Sequence, residues 1–133
     1  MRVFLDANLL FAGAKFDSQV ARLVRRTLGS GTAVSSDYAR EEAIRNIRIK
    51  RPAWQEEFDA LCERIEWIGT RCFALDLEVA EKDVPILCSA IAGRCDYLVT
   101  GDKRDFGHLY GERVQGVEIV SLTQLAKVLN EES

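Results

Sequence analysis

The chain has 133 residues, of which 47% are hydrophobic and 29% are charged, and its formal net charge is −3. These values are typical of one soluble domain that is long enough to bury a core, and they exclude nucleic-acid binding by bulk charge alone. Position 6 is an acid and no long apolar run lies near the N-terminus, so we expect neither a signal peptide nor a membrane anchor.

Cysteine and histidine are too sparse for a zinc site. The four cysteines lack CxxC spacing, and His108 is the single histidine. Cys62 and Cys88 fall on apolar helical faces, which predicts buried free thiols. Free thiols are typical of a reducing compartment, so we expect a cytoplasmic protein.

The first half of the chain alternates short apolar runs with helical patterns. Residues 3–5 predict a buried strand that stops at Asp6. Asp17 is a candidate cap for a helix, and a weak strand is expected over residues 32–35. Residues 37–50 predict a longer helix with one apolar face and one charged face.

Three weaker elements follow. Pro52 suits the first turn of a helix in which Trp54 and Phe58 belong to one apolar stripe. Residues 67–68 predict a short strand, and a short helix is expected near residues 77–82.

A helix, a strand and a loop with two acids are predicted in the stretch DVPILCSAIAGRCDYLVTGDKRDF. Asp83 is expected to cap the helix through its side-chain oxygen, and Gly93 to end it in a left-handed conformation. Residues 97–99 predict a buried strand, and Asp102 and Asp105 come soon after it. Packing explains two such acids poorly, so this loop is the first candidate for chemistry.

The end of the chain predicts one more strand and one more helix. Residues 117–120 have the strand pattern, and Ser121 and Gln124 have the spacing of a capping box for the last helix. Strands alternate with helices throughout, without repeats or linkers. The sequence therefore predicts a single domain over residues 1–133, built on a parallel α/β sheet with helices on both faces.

Four acids are expected at one edge of this sheet. Asp6 and Asp102 follow strands, Asp83 begins the helix that leads to the Asp102 strand, and Glu42 lies about one turn into the helix after the second strand. Any one of them alone is more often a cap, a turn residue or part of a solvated face. Together, without matching cations, they would repel one another. Mg²⁺ or Mn²⁺ prefers oxygen ligands and would relieve that repulsion.

A carboxylate-held metal suits the hydrolysis of a phosphodiester, because the ion activates a water and offsets charge on the phosphate. The metal ligands that we predict are Asp6, Asp83 and Asp102. Asn8 and Thr100 would form hydrogen bonds to the metal-binding carboxylates or to waters, and so hold them in place.

Basic residues flank the acids in sequence. Alone they would form a solvated surface, but beside an acidic pocket they are candidates to bind the backbone of a nucleic acid. These residues are Arg40, Arg45, Arg48, Lys103 and Arg104, with Lys50 and Arg51 nearby.

Helical geometry separates the two neighbouring glutamates. Glu42 shares a face with Asn46 and borders the inward Ala43, whereas Glu41 points about 100° away. Glu41 also has the spacing of a solvated ion pair with Arg45.

These motifs resemble those of the PIN domain, a family of small metal-dependent nucleases that includes the VapC-type toxins. The segment FLDAN is similar to the family's opening strand with its first acid, and SDYAREEAIRNI is similar to the segment with the helical glutamate, which the apolar positions place at Glu42. Asp83 before Pro-Ile-Leu, and TGDKRDF with Asp102 and Asp105, resemble the third and fourth acidic motifs.

The resemblance covers nearly the whole chain and implies a three-layer sandwich around a mostly parallel five-stranded sheet. It implies a catalytic set of Asp6, Glu42, Asp83, Asp102 and Asp105, dependence on Mg²⁺ or Mn²⁺, and cleavage of RNA. An antitoxin partner and a homodimer are common in the family.

Two other classes of function stay open on the sequence. A non-catalytic module on the same fold would bind RNA or protein, although a binder gains nothing from crowded carboxylates. A small-molecule phosphatase would need a second acid two residues after Asp6, and the chain has Asn8 there.

Overall fold

The structure of the protein is a computed structural model in which residues 1–132 are described. The strands in this range are β1 (Arg2–Leu5), β2 (Thr32–Ser36), β3 (Glu66–Ile68), β4 (Tyr97–Val99), β5 (Arg113–Val114) and β6 (Val117–Val120). The helices are α1 (Ala7–Gly13), α2 (Gln19–Ser30), α3 (Asp37–Lys50), α4 (Gln55–Cys62), α5 (Val84–Ala92), α6 (Lys103–Phe106) and α7 (Leu122–Glu132). Short 3₁₀ turns span Pro52–Trp54, Glu81–Asp83 and Gly107–Leu109.

The six strands form one mixed sheet in the order β3-β2-β1-β4-β6-β5. All neighbours pair in parallel except β5, which pairs antiparallel with β6. The predicted α/β class is therefore confirmed, with one strand more than the five expected. The extra strand is a two-residue hairpin arm, and its turn places Gln115 and Gly116 at φ 47° and 90°, the conformation that such tight hairpins require.

Helices cover both faces of the sheet. The chain moves outward from β1 to β2 to β3 and then returns across the sheet to β4. Because parallel crossovers are right-handed, these opposite directions put α1 to α4 on one face and α5 on the other. The arrangement is the three-layer sandwich that was expected.

The core lies around the two central strands. Phe4 and Leu5 of β1 and Leu98 and Val99 of β4 have no exposed surface, as the apolar runs predicted. Parallel strands covered by helices on both faces read as continuous apolar segments, which explains the pattern. In residues 1–132, no helix is both long and apolar enough to cross a bilayer.

Three local predictions were wrong. Gly93 has φ −77°, and the left-handed residue is Arg94 at φ 54°; a Cβ at 93 would lie 2.7 Å from Ile68 Cδ1 and 3.1 Å from Ser89 O, so a larger residue there would require the Ile68 side chain to shift. The cap of α2 is Ser18, whose Oγ accepts from Ala21 N at 3.0 Å, and not Asp17. The short helix expected near residues 77–82 is only a 3₁₀ turn at Glu81–Asp83, and residues 69–80 contain no helix.

Other local predictions are confirmed. The helix over 37–50 has the expected bounds. The capping box forms in both directions: Ser121 N donates to Gln124 Oε1 at 2.9 Å, and Gln124 N donates to Ser121 Oγ at 3.2 Å. Cys62 and Cys88 are buried free thiols.

Candidate metal centre

The candidate site lies at the carboxyl ends of β1 and β4, where the strand order changes direction. Strands to one side of this point follow β1 in the chain, and those to the other side follow β4, which makes it the usual location of ligand sites in open α/β sheets. The register pairs Leu5 with Val99, and Asp6 N donates to Val99 O at 3.2 Å. Asp6 therefore lies beside Thr100, 94 residues later in the chain.

The Thr100 hydroxyl joins the two strand ends. It donates to Asp6 Oδ2 at 2.8 Å and accepts from Asp102 N at 3.1 Å. The Thr100 carbonyl in turn accepts from Tyr110 OH at 2.9 Å. Asn8 contributes on the other side, where its Oδ1 accepts from Gly101 N at 3.3 Å. The structure thus places Asn8 and Thr100 against the segments that carry Asp6 and Asp102.

Asp83 enters the site from the 3₁₀ turn that precedes α5. Its backbone is already helical there, at φ −98° and ψ −8°, so the side chain does not cap α5, and the predicted capping bond was wrong. The side chain is instead buried, with 6% of the residue exposed. Tyr38 of α3 holds this turn, since its OH donates to Lys82 O at 3.0 Å.

Three carboxylates form a compact cluster, which we call the acidic trio: Asp83, Asp102 and Asp105. Their ligand oxygens lie within 4.8 Å of one another. Asp102 also caps α6, because its Oδ1 accepts from Asp105 N at 3.1 Å, and this bond orients the Asp102 side chain. Asp105, predicted as catalytic but not as a metal ligand, is thus one of the three acids that the structure brings closest together.

The trio fits a hard divalent cation. As an ionised group, Asp83 Oδ2 is buried and accepts no hydrogen bond from residues 1–132. Buried carboxylate oxygens without a donor are costly, and Mg²⁺ and Mn²⁺ coordinate such oxygens. The residues that would hold the ion are the acidic trio, with Asp6 next to it.

One cation lies at the trio. Lys82 Nζ forms an ion pair with Asp105 Oδ2 at 2.9 Å and lies 3.9 Å from Asp102 Oδ2. The expectation of acids without a matching cation was therefore wrong in part. Sequence reasoning missed Lys82 because a lysine beside an acid usually marks a solvated turn.

Asp6 and Glu42 border the trio without joining it. Asp6 is 6% exposed, and the negative charges of Glu42 and Asp102 both act on it. Glu42 is half-buried, whereas Glu41 is exposed. No ion pair between Glu41 and Arg45 occurs in the described part of the chain, so the predicted surface pair does not form.

Burial and crowding change the acidity of the site. Burial, aided by the charges of Glu42 and Asp102, raises the pKa of Asp6 to about 6, although hydrogen bonds from Thr100 and Ala7 oppose the rise. Burial and a proton shared with Asp105 raise the pKa of Asp83 to about 7. The ion pair with Lys82 lowers the pKa of Asp105. The pocket thus resists full ionisation near neutral pH.

These shifts predict that the metal-free protein loses stability between pH 5 and pH 8. The folded pKa values of Asp6 and Asp83 exceed the unfolded value of 3.8, so the folded state binds more protons in this range and is destabilised as the pH rises. The loss should be on the order of 2 kcal/mol or more. Denaturant unfolding in EDTA at several pH values measures it. The pKa of Asp105 is lowered from 3.8, so this residue should change the stability only at more acidic pH.

Asp6→Asn is the matching variant for this prediction. It removes one repelling charge and should make the metal-free protein more stable than wild type at pH 8, with a shallower slope. Wild-type stability that rises from pH 5 to pH 8, or an unchanged slope in the variant, would contradict the assignment of these shifts to Asp6.

The predicted basic residues divide into two groups. Arg40 lies over the ring of Trp67, 5.3 Å from its centroid, so its guanidinium is already engaged on edge strand β3. Arg45 is exposed, and its charge acts on Tyr38, which contacts the turn before Asp83. Arg48, Lys103 and Arg104 are exposed as well.

No protein-family model and no curated protein matches this sequence. Among solved structures, the chain is similar to a chain of the VapBC2 complex from Rickettsia felis bound to a DNA fragment from its promoter. The identity is 18%, the TM-score is 0.64, and the match covers 91% of this chain and 98% of the other. At this identity the likeness shows a shared fold, and VapC-type toxins belong to the family whose motifs the sequence resembles.

Proposed function

We propose that this protein is a metal-dependent endoribonuclease, a single PIN-like nuclease domain that works in the cytoplasm. The observation that carries the proposal is the acidic trio at the point where the strand order changes direction, in which Asp83 Oδ2 is buried and accepts no hydrogen bond from residues 1–132. A binding module gains nothing from carboxylates that resist ionisation. A hydrolase that recruits a divalent cation needs such carboxylates as ligands.

When bound, Mg²⁺ or Mn²⁺ supplies a Lewis acid that activates water and offsets charge at the phosphate. Asp83, Asp102 and Asp105 would hold the ion. Asp6, which is buried and on which the charge of Glu42 acts, would accept a proton from an attacking water. Thr100 fixes the orientation of Asp6 through its 2.8 Å hydrogen bond.

We further propose that the protein is the toxin of a type II toxin–antitoxin pair. The structurally similar chain comes from VapBC2, and its solved structure contains promoter DNA. An antitoxin protein is then the expected partner, and a homodimer is the expected assembly of the free toxin. Co-purification of the protein with the product of a neighbouring small gene tests this partner.

Incubation with a labelled pool of single-stranded RNA tests the activity. We expect fragments in Mg²⁺ or Mn²⁺ and none in EDTA. A matched DNA pool and a phosphate-monoester substrate serve as controls, since a phosphatase would release phosphate from the latter. RNA that is bound but left intact in both metals would favour a binding module instead.

Exposed arginines on α3 give a prediction about substrate binding. Replacing Arg45 and Arg48 by Ala should weaken RNA binding and reduce the slope of log K against log salt by about 1.4, because two phosphate contacts are lost. Binding is measured in an Asp102→Asn background, which prevents cleavage. The double change Arg22→Ala, Arg26→Ala on α2 removes the same charge and should leave the slope nearly unchanged. Equal slopes for the two double variants would show that α3 does not contact phosphates.

A further inference from the structure

Lys82 is placed differently from the other cations near the site. It belongs to the 3₁₀ turn that also carries Asp83, and Tyr38 OH fixes its carbonyl at 3.0 Å. Its side chain is 63% exposed, yet Nζ reaches 2.9 Å from Asp105 Oδ2 and 3.9 Å from Asp102 Oδ2. The same turn therefore supplies one acid of the trio and an ammonium that pairs with Asp105 and lies near Asp102.

An ammonium at this position and a divalent cation cannot use the trio together. The ion would need the Asp105 oxygen that Lys82 now contacts, and two like charges within a few ångströms repel strongly. Asp83 Oδ2 has no contact of this kind: it is buried in a residue that is 6% exposed, and it has no hydrogen-bond donor within residues 1–132. The lysine thus pairs with one acid of the trio, lies near a second, and leaves an oxygen of the third without a hydrogen-bond donor in residues 1–132.

We propose that Lys82 is a built-in competitor of the metal, which keeps the metal-free acidic trio folded and must leave Asp105 before the ion is bound. This inference rests on the proposed function, because it concerns the same site. The exposure of the side chain allows the departure, since the ammonium can move into solvent without opening the core. Lys82 then sets the metal concentration at which the site fills.

Titration of Mn²⁺ into RNA-free protein, followed by calorimetry and by the electron paramagnetic resonance of unbound Mn²⁺, tests the proposal. Lys82→Met keeps the aliphatic stem and removes the charge. We expect its Mn²⁺ dissociation constant to fall at least fivefold below the wild-type value. In EDTA its melting temperature should be lower than that of wild type, and Mn²⁺ should raise it by more.

Lys103→Met is the matched control. Lys103 adjoins Asp102 in sequence and is exposed, and it forms no ion pair in the described range, so the variant loses the same charge without freeing Asp105. Its Mn²⁺ affinity should stay within twofold of wild type. Lys82→Arg keeps the charge and should bind Mn²⁺ no more tightly than wild type. Lys82→Gln replaces Lys82→Met if the latter does not fold.

The outcomes separate this inference from the proposed function. Wild-type protein that binds Mn²⁺ while Lys82→Met binds it equally or more weakly overturns the competition and leaves the metal site intact. An equal gain in Mn²⁺ affinity in Lys82→Met and Lys103→Met also overturns the competition, since the affinity would then depend only on net charge. Absence of Mn²⁺ binding in every variant overturns both the competition and the metal site.

Discussion

Asp102→Asn should reduce RNA cleavage by at least about 100-fold, which corresponds to about 2.7 kcal/mol of transition-state stabilisation. Asp102 contributes one of the three clustered ligand oxygens, and an amide is a much weaker ligand for Mg²⁺ or Mn²⁺ than a carboxylate. We expect millimolar Mn²⁺ to raise the melting temperature of the wild type by binding to the folded state, and the variant should lose most of this rise.

The Asp102 variant is well suited to this test because asparagine is as good a helix cap as aspartate. The bond from Asp105 N to residue 102 should therefore persist, and α6 should stay folded. Asp37→Asn is the control, because Asp37 is an exposed acid at the start of α3. An unchanged cleavage rate in Asp102→Asn would count against the metal centre. So would a wild-type melting temperature that does not change when Mn²⁺ is added.

Glu42→Gln should reduce cleavage at least tenfold, about 1.4 kcal/mol, while Glu41→Gln should change it little. Glu42 is half-buried and its charge acts on Asp6 and Tyr38, whereas Glu41 is exposed. The two changes are chemically identical and adjacent, so each controls for the other. Single-turnover cleavage with saturating Mn²⁺ measures the effect. The reverse order of effects would make Glu41 the working acid, and two silent variants would leave the aspartates as the whole site.

The parts of the site that follow strands were predictable from sequence. Buried apolar runs end at Asp6 and just before Thr100, and carboxyl ends of parallel strands share an edge, so pattern and topology together bring these residues near each other. The positions of Asn8 and Thr100 in the site follow from the same placement of the strand ends. Glu42 was separated from Glu41 by helical geometry alone, and the structure places the two as that geometry predicts.

The parts that depend on turns and long side chains were not predictable. Asp83 has the sequence of a cap, and only the 3₁₀ backbone before α5 turns its carboxylate inward. Lys82 and Arg40 both look solvated in sequence, yet one reaches Asp105 and the other lies over Trp67. Such side chains have many rotamers, and tertiary neighbours select one of them. The two-residue strand β5 is too short to leave any periodic signal.

The position of β1 in the middle of the sheet has a consequence for synthesis. This first strand to be made lies between β2 and β4, and β4 begins only at Tyr97. Thr100, the hydrogen-bond partner of Asp6, is synthesised 94 residues after it. Pairings between residues so far apart in sequence form late in folding. A nascent chain that stops before Asp102 has no acidic trio. The acidic pocket can therefore form only after the whole segment from Asp6 to Asp105 has been synthesised.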